Sequence, residues 1–283
     1  MAVGGIEVWG VLNVTPDSFY DGGVYAVGDA AISAGARMAG EGADVIDVGG
    51  ESTRPAGKTY GTGFSGVAVD EELARVVGVV RALASRGLRV SIDTTKAAVA
   101  EACLDAGARI VNDVSCAADP ALARAAAAAG AEYVVMHRRG SGEVPRDAGE
   151  PRDEIVERVV MELRRAAGRV VEAGVAPERI WVDPGIGFSK PPRHSMVLIG
   201  AVGALRALGY RVLVGASRKS FIGSVHDAPV ERRLGGTLAA VLAAAAAGAS
   251  ALRVHDVEPT VQALAVRDAI ARASGEPGHG RTA

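Results

Sequence analysis

The chain has 283 residues, a formal net charge of −2 at pH 7, and 49% hydrophobic residues. Because the charges nearly balance, there is no basic stripe for nucleic acid and no acidic tail, and no nucleic-acid partner is expected. The length alone would favour two domains, but single α/β barrels reach about 250 residues, so the length does not exclude one domain.

Eight short apolar runs recur along the chain, and a longer helical pattern follows each of them. The runs span residues 7–14, 43–50, 88–94, 109–115, 132–137, 179–185, 210–217 and 251–257. The helical patterns span residues 28–42, 69–86, 96–107, 119–129, 152–173, 196–208, 229–247 and 259–273. Glycine, which closes the last turn of a helix in the left-handed conformation, ends seven of these patterns. These glycines are Gly42, Gly87, Gly107, Gly130, Gly174, Gly209 and Gly248.

Apolar runs that each precede a helix indicate parallel strands covered by helices. Eight such units predict an α/β fold of the (β/α)8 TIM-barrel type. An open doubly wound sheet is the alternative, but its G-x-G-x-x-G fingerprint is absent after the first run. No linker divides the chain, so we expect a single domain over residues 1–273 and a flexible tail over residues 274–283.

Cysteine content and terminal composition predict a cytoplasmic protein. Cys103 and Cys116 are too few for a disulfide scaffold and lack metal-ligand spacing, so small buried thiols in a reducing compartment are expected. Residues 1–10 contain no basic segment followed by an apolar run, so no signal peptide is expected. Residues 234–252 are uncharged and long enough to cross a bilayer, but they are mostly Ala and Gly. A packed helix followed by a buried strand is expected there, and no membrane association.

Nearly every predicted strand ends in polar side chains. Active sites of (β/α)8 barrels lie at the C-terminal ends of the strands, so these side chains are expected to converge on one mouth. Burying so many polar groups without a ligand would be costly, which favours a functional site over a set of ordinary helix caps. The residues are Asn13, Asp47, Asp93, Asn112, Asp113, His137, Asp183, Arg253, His255, Asp256 and those at 51–54 and 217–219.

Two chemical sets can be separated among these residues. Carboxylates, an amide and an ammonium suit a flat heterocycle with several N–H donors and a carbonyl, because a carboxylate accepts from two adjacent N–H groups. That set comprises Asp93, Asn112, Asp183 and Lys219. No Ser-His-Asp or Cys-His arrangement is apparent.

The second set suits a phosphate or pyrophosphate. It comprises Asn13, Arg54, Arg253 and His255, whose two guanidinium groups and imidazole can hold an anion. The amide oxygen of Asn13 suits Mg²⁺ better than Zn²⁺. Displacement of an anionic leaving group is therefore favoured over hydrolysis through a covalent enzyme intermediate.

Seven motifs, in order, resemble those of the dihydropteroate synthases of the folate pathway. They are NVTPDSF, DVGGESTRP, SIDTTKAAVAEA, VNDVS, DPGIGFSK, GASRKSFIG and LRVHDV, within a match from about residue 8 to residue 270. The resemblance implies a transferase that joins 6-hydroxymethyl-7,8-dihydropterin pyrophosphate to p-aminobenzoate and releases 7,8-dihydropteroate and pyrophosphate. It also implies a dissociative reaction, in which pyrophosphate leaves before the arylamine attacks.

The resemblance further implies roles for individual residues. The pterin pocket would contain Asp93, Asn112, Asp183 and Lys219, and Met136 would be a further substrate-binding residue. The pyrophosphate would be held by Asn13, Arg54, Arg253 and His255, with Mg²⁺ at Asn13. The p-aminobenzoate subsite would be lined by Thr53, Pro55, Phe188, Ser217 and Lys219. The catalytic residues would be Asp93, Asp183, Lys219, Arg253 and His255.

Two loops are implied to close over the leaving group, at residues 15–23 and 51–57. In the first, Asp17, Ser18 and Phe19 would complete the second subsite and exclude water. The resemblance also implies a homodimer that pairs through its last helices. The Ala-rich pattern over residues 229–247 would permit close approach of helices from two copies. The alternative is that these alanines pack only against the barrel.

Three positions depart from the family pattern. Arg138 stands where a second Met is usual, and Ser195, which we expect to cap a helix, stands where Asn is common. Residues 56–68 form a segment roughly seven residues longer than usual. It brings Tyr60 and Phe64 beside the predicted p-aminobenzoate subsite, where they would narrow it against bulkier sulfonamides and make the enzyme sulfonamide-insensitive. A solvated surface loop without a role is the alternative.

Two other functions are weighed against this one. A pterin-binding methyltransferase domain shares the barrel and part of the pocket, and it would transfer a methyl group to a cobalamin protein. A catalytically inactive pterin-binding protein should have lost one of the key residues, and none is lost. Those residues are Asn13, Asp93, Asp183, Lys219 and Arg253.

Overall fold

Eight parallel strands close into a barrel whose spatial order is the chain order. The computed structural model describes residues 5–15, 23–51, 66–140 and 147–275, and it describes residues 23–27 without their side chains. The strands are β1 (Glu7–Asn13), β2 (Val45–Gly49), β3 (Val90–Asp93), β4 (Ile110–Asp113), β5 (Glu132–Met136), β6 (Ile180–Asp183), β7 (Arg211–Val214) and β8 (Ala251–Val254). The predicted (β/α)8 barrel is confirmed, and the open sheet is wrong because β8 pairs with β1.

Helices cover the outside of this barrel. They are α1 (Gly23–Gly40), α2 (Val69–Ala84), α3 (Ala97–Asp105), α4 (Pro120–Ala128), α5 (Arg152–Glu172), α6 (Pro192–Gly200), α7 (Val202–Arg206), α8 (Ser220–Val225), α9 (Leu234–Ala246) and α10 (Val257–Ala273). The pattern over residues 196–208 is two helices, because Ala201 leaves the helical region at φ −109° and ψ 16°. The pattern over residues 229–247 begins as a helix only at Leu234, after Pro229 and a short 3-10 turn.

All seven glycines predicted at helix ends adopt a positive φ, as expected for residues that close a last turn. Gly107 illustrates a second constraint: at φ +111°, a Cβ there would lie 2.7 Å from Cβ of Ala84. Within the described residues, no helix is both long and apolar enough to cross a membrane. Of the predicted tail, residues 274 and 275 form a turn, and residues 276–283 lie outside the described residues.

An apolar cluster fills the lower half of the barrel interior. Its members come from seven of the strands: Trp9, Val45, Ile110, Val134, Trp181, Leu213 and Ala251. The rings of Trp9 and Trp181 meet edge to face with centroids 5.3 Å apart. The barrel is therefore a packed core at this level and not a pore.

Ion pairs close the N-terminal end of the barrel below this cluster. Arg89 bridges Glu7 at 2.9 Å and Glu132 at 2.5 Å, and Arg211 contacts Glu132 at 2.6 Å. The indole N–H groups of the two tryptophans donate to these carboxylates, from Trp9 to Glu7 at 2.8 Å and from Trp181 to Glu132 at 2.6 Å. This network belongs to the end of the barrel opposite the predicted site.

The alternation of side chains along each strand carries the inward face up to the mouth. Residues two positions beyond the apolar cluster face the same way, because successive strand residues point to opposite faces. The inward residues nearest the C-terminal ends are Asn13, Asp47, Gly49, Asp93, Asn112, Met136, Asp183 and Arg253. Polar side chains therefore begin where the apolar cluster ends.

Candidate active site

Four neighbouring strands bring one row of inward residues side by side. Asn13 pairs in register with Gly49, Gly49 with Asp93, and Asp93 with Asn112. A Cβ on Gly49 would lie 3.6 Å from Cβ of Asp93 and 3.9 Å from Oδ1 of Asn13, so the glycine leaves these two side chains adjacent. Asn13, which was predicted for the anion, thus lies in one row with Asp93 and Asn112, which were predicted for the heterocycle.

Arg253 lies between two buried carboxylates. Its Nε donates to Oδ2 of Asp47 at 2.5 Å, and its Nη2 donates to Oδ2 of Asp93 at 2.7 Å. Asn112 donates from Nδ2 to the same oxygen of Asp47 at 3.1 Å. The sequence grouped Arg253 with the anion, whereas in the structure its guanidinium contacts Asp93, which was predicted for the heterocycle, and Asp47, which was assigned to neither set.

Burial dominates the electrostatics of these acids. It raises the pKa of Asp93 to about 7, and Arg253 opposes that effect by favouring the carboxylate. The pKa of Asp183 is also raised by burial, against the opposing effects of the Gly185 N–H, Lys219 and Arg253. Burial lowers the pKa of Arg253, but Asp47 and Asp93 outweigh it and raise that pKa overall. The guanidinium of Arg253 therefore stays charged, whereas burial favours the protonated forms of Asp93 and Asp183.

The loop after β6 places a third acid beside a cation and a ring. Oδ1 of Asp183 accepts a hydrogen bond from the backbone N–H of Gly185 at 2.6 Å. Nζ of Lys219 lies 4.0 Å from the centroid of the Phe188 ring, a cation–π contact. Met136 is buried at the end of β5 and pairs in register with Asp183. The predicted pterin and p-aminobenzoate residues are thus brought together on this side of the mouth.

The ends of β7 and β8 contact each other through Ser217 and His255. Oγ of Ser217 lies 3.1 Å from Nδ1 of His255 and accepts from its backbone N–H at 3.3 Å. Beside them Arg218 forms a bidentate ion pair with Asp256 at 2.5 and 3.0 Å. The predicted anion-binding histidine is therefore held next to a predicted p-aminobenzoate residue.

Two strand-end residues do not face the mouth, so the expected convergence of every polar strand end is wrong for them. His137 contacts Glu162 of α5 at 2.7 Å, and burial lowers its pKa to about 3, which leaves the imidazole neutral. Asp113 accepts from the hydroxyl of Tyr133 at 2.9 Å and from the backbone N–H groups of the next turn. Both residues follow an inward residue by one position, so the strand alternation turns them toward the helices.

Seven predicted site residues lie outside the described residues. They are Asp17, Ser18, Phe19, Thr53, Arg54, Pro55 and Phe64. Tyr60 lies outside them as well. Their assigned roles stay predictions.

Two residues that belong to neither predicted chemical set contribute to the site. Asp47 is fully buried and accepts from both Arg253 and Asn112. Its inward position two residues before Gly49 could have indicated this. Lys190 lies in the loop after β6, and its hydrogen bonds to the carbonyls of His137 and Gly185 form only in the folded chain. Ser195 is not a helix cap as expected, because it lies within α6 and accepts from the backbone N–H of Gly187 at 3.1 Å.

A magnesium ion fits the chemistry of the donors at the end of β1. Asn13 supplies an amide oxygen at the mouth, next to Asp93. Mg²⁺ is commonly bound through one or two protein oxygens, its own waters and the phosphates of a substrate. Across the ranges described here, no three His, Cys, Asp or Glu side chains are grouped to hold a metal by themselves. The donor set therefore suits an ion that arrives with an anionic substrate.

Known proteins resemble this chain over nearly its whole length. The family profile described as "Pterin binding enzyme" matches residues 9–255. Dihydropteroate synthase of Mycobacterium leprae is 46% identical over 276 residues, which cover 94% of each chain. The Escherichia coli enzyme of the same name is 39% identical over 93% of this chain and 91% of its own.

Solved structures agree with the sequence comparisons. The Xanthomonas albilineans dihydropteroate synthase with 4-aminobenzoic acid is 40% identical, covers 94% of this chain and 93% of its own, and superposes with a TM-score of 0.85. The same enzyme in complex with 7,8-dihydropteroate is 38% identical over the same shares, with a TM-score of 0.82. The chain therefore belongs to the pterin-binding enzyme family and, within it, to the dihydropteroate synthases.

Proposed function

We propose that this chain condenses 6-hydroxymethyl-7,8-dihydropterin pyrophosphate with p-aminobenzoate to give 7,8-dihydropteroate and pyrophosphate. The observation that carries the proposal is the inward cluster of Asp93, Asn112 and Asp183 at one end of the barrel. Such acceptors suit the N–H groups of a pterin ring, and Asn112 adds an amide that can both donate and accept. The names of the relatives support the same activity.

The reaction that fits these residues begins with loss of the anion. The bond between the pterin methylene carbon and the pyrophosphate oxygen breaks, and its electron pair leaves with pyrophosphate. The amine nitrogen of p-aminobenzoate then forms a bond to that carbon and loses a proton. Asp93 and Asp183 stabilise positive charge on the ring, whereas Arg253 and His255 stabilise the departing anion. Exclusion of water protects the cation from hydrolysis.

Magnesium is part of this proposal, with Asn13 as its protein ligand. When bound, the ion neutralises negative charge on the pyrophosphate oxygens. The adjacency of Asn13 and Asp93 supports an anion site that adjoins the pterin site. Arg54, the further residue assigned to the anion, lies outside the described residues.

The p-aminobenzoate subsite is proposed on the side of the mouth where β6 and β7 end. Phe188 and Lys219 are in contact there, and Ser217 is two residues before Lys219. The ring of Phe188 can contact an arylamine, and the ammonium of Lys219 can contact both substrates. Thr53 and Pro55 are assigned to the same subsite but lie outside the described residues.

Pyrophosphate release with both substrates present tests the activity. We expect pyrophosphate release over many turnovers only when p-aminobenzoate is present, and at most one release per active site when it is omitted. A methyltransferase domain would release no pyrophosphate, and an inactive binding protein would bind the pterin without turnover. Either result would contradict the proposal and identify the alternative.

A homodimer is also proposed, with α9 and α10 at its interface. A groove between these helices is lined by Leu238, Leu242, Pro259, Ala263, Val266 and Ile270. Val266 is 54% exposed and Ile270 is 61% exposed, and together with the groove they form a contiguous apolar surface that a second copy would cover. Light scattering should give a dimer mass at micromolar concentration, and a charge in place of Ile270 should give the monomer mass. A monomer before substitution would contradict the dimer.

Domain organisation and location complete the proposal. We infer one domain over residues 1–273, which the closed barrel supports, and most of the predicted tail lies outside the described residues. We also infer a cytoplasmic location, which the two free thiols Cys103 and Cys116 support.

A further inference from the structure

Lys190 is a buried lysine that the proposed reaction does not use. It lies in the loop between β6 and α6, and only 6% of its surface is exposed. Its Nζ donates to three backbone carbonyls: to His137 at 3.1 Å, to Gly185 at 2.9 Å and to Phe188 at 3.0 Å. An ammonium has three N–H groups, so each of its donors has an acceptor.

The three carbonyls belong to two different parts of the barrel. His137 directly follows β5, whereas Gly185 and Phe188 belong to the loop after β6. Lys190 therefore ties this loop to the end of the neighbouring strand. Burial lowers its pKa to about 7, and the negative charge of Asp183 opposes that effect.

Gly185 shows how closely the loop approaches β5. Its φ is +65°, and a Cβ there would lie 2.0 Å from the carbonyl oxygen of His137. No side chain could be accommodated without moving the loop away from the strand. The ammonium of Lys190 lies at this contact and donates to both carbonyls.

The same loop orients three side chains of the proposed site. The Gly185 N–H donates to Oδ1 of Asp183 at 2.6 Å, which sets the direction of that carboxylate. Lys190 donates to the carbonyl oxygen of Phe188. The carbon of that carbonyl is two bonds from the Cβ that carries the phenyl ring, and the ring contacts Lys219. A shift of the loop would therefore withdraw the Gly185 N–H from Asp183 and the Phe188 ring from Lys219.

We propose that Lys190 is a positioning residue for the pterin and p-aminobenzoate subsites, acting through the backbone of Gly185 and Phe188 and not through contact with substrate. The proposal rests on the site assignments made under Proposed function. A purely structural lysine would stabilise the fold without setting substrate affinity. The two roles can be separated because misplacement of reacting groups by about 1 Å can cost about a hundredfold in rate.

The test compares Lys190→Met with a control at the other end of the barrel. Arg89→Met likewise removes a cation from its hydrogen-bond partners, here Glu7 and Glu132 at the N-terminal end of the barrel. Each variant is assayed for melting temperature, for the Kd of 6-hydroxymethylpterin by calorimetry, for the KM of p-aminobenzoate, and for inhibition by pyrophosphate. Assays are run well below both melting temperatures.

Both variants should melt at lower temperature. Only Lys190→Met should weaken the pterin Kd and raise the KM of p-aminobenzoate, each at least about tenfold. Inhibition by pyrophosphate should change less than about twofold, because Arg253 and His255 belong to β8 and the residue after it rather than to the displaced loop. Pterin and p-aminobenzoate constants that match those of Arg89→Met would overturn the positioning role.

Gly185→Ala provides a second test if Lys190→Met does not fold. Its Cβ should push the loop away from His137 while the ammonium is retained, and the same losses are expected. Unchanged constants in Gly185→Ala would overturn the proposal. Asp183→Ala separates this inference from the site assignment: a loss in Asp183→Ala without one in Lys190→Met refutes only the positioning role. No loss in Asp183→Ala refutes the site assignment, and the role of Lys190 falls with it.

Discussion

Nη2 of Arg253 donates to Oδ2 of Asp93 across 2.7 Å, between residues 160 positions apart in the chain. This ion pair joins the residue proposed for the leaving anion to the residue proposed for the pterin ring. The two halves of the bond that breaks therefore have their protein partners in direct contact. The pair therefore lies where positive charge develops on the ring and negative charge develops on the leaving anion, and its two members can stabilise these opposite charges.

Truncating either buried acid should remove pterin binding. Asp93→Ala leaves Arg253 with one fewer carboxylate, and loss of one partner from a buried charged hydrogen bond typically costs about 2–5 kcal/mol. Asp183→Ala should have a similar effect. Calorimetry with the free pterin is the measurement, and near-wild-type affinity in either variant would contradict the assignment.

Arg253→Ala should weaken the pyrophosphate substrate far more than a pterin without the diphosphate. The pterin alone should show the smaller loss that follows from leaving Asp47 and Asp93 without their cation. His255→Ala is the matched comparison, because His255 contacts Ser217 and should affect only the pyrophosphate substrate. Titration of each variant with both ligands checks this, and equal losses in Arg253→Ala would place the anion elsewhere.

The raised pKa of Asp93 predicts a pH dependence of stability. Burial raises this pKa from 3.8 to about 7, so the folded state binds a proton more tightly than the unfolded state does. Between pH 3.8 and about 7 the folded state binds more of the Asp93 proton than the unfolded state does, so the contribution of Asp93 to the free energy of unfolding falls as pH rises and levels off above about pH 7. Urea unfolding across this range should show a flatter decline in Asp93→Asn. An identical slope in both proteins would contradict the raised pKa.

The ion network below the tryptophans should stabilise the barrel without affecting catalysis. Glu132 accepts from Arg89, Arg211 and Trp181, so Glu132→Gln weakens charge-assisted bonds to all three. We expect a loss of about 1–2 kcal/mol in the free energy of unfolding, since the side chains are partly exposed. Denaturant unfolding measures this, while kcat and both KM values should remain as in the wild type. A change in kcat or in either KM would show that the N-terminal end of the barrel is energetically coupled to the site at its mouth.

The long segment at residues 56–68 carries a prediction about inhibitors. Sulfonamides imitate p-aminobenzoate and extend beyond the space that it fills. If Phe64 narrows the subsite, Phe64→Ala or deletion of residues 58–64 should lower the sulfonamide inhibition constant at least about tenfold, or roughly 1.4 kcal/mol. The KM of p-aminobenzoate should change less. Strong inhibition of the intact enzyme, or no change on deletion, would leave a surface loop without this role.

The sequence by itself determined the repeat of strand and helix, and with it the barrel. Apolar runs set the strands, glycines such as Gly42 and Gly248 ended the helices, and polar residues at strand ends located the mouth. These features depend on local periodicity and turn chemistry, which neighbouring residues carry in the chain.

Which side chains share a contact was decided only by the tertiary structure. Arg253 contacts Asp47 from 206 positions away, and Lys190 contacts His137 from 53 positions away. Asn112 faces Asp47, whereas Asp113, the next residue, faces Tyr133. Which of these two neighbours points into the barrel depends on the strand register. Closure of the barrel fixes that register for all eight strands together, so no single segment of the sequence contains it.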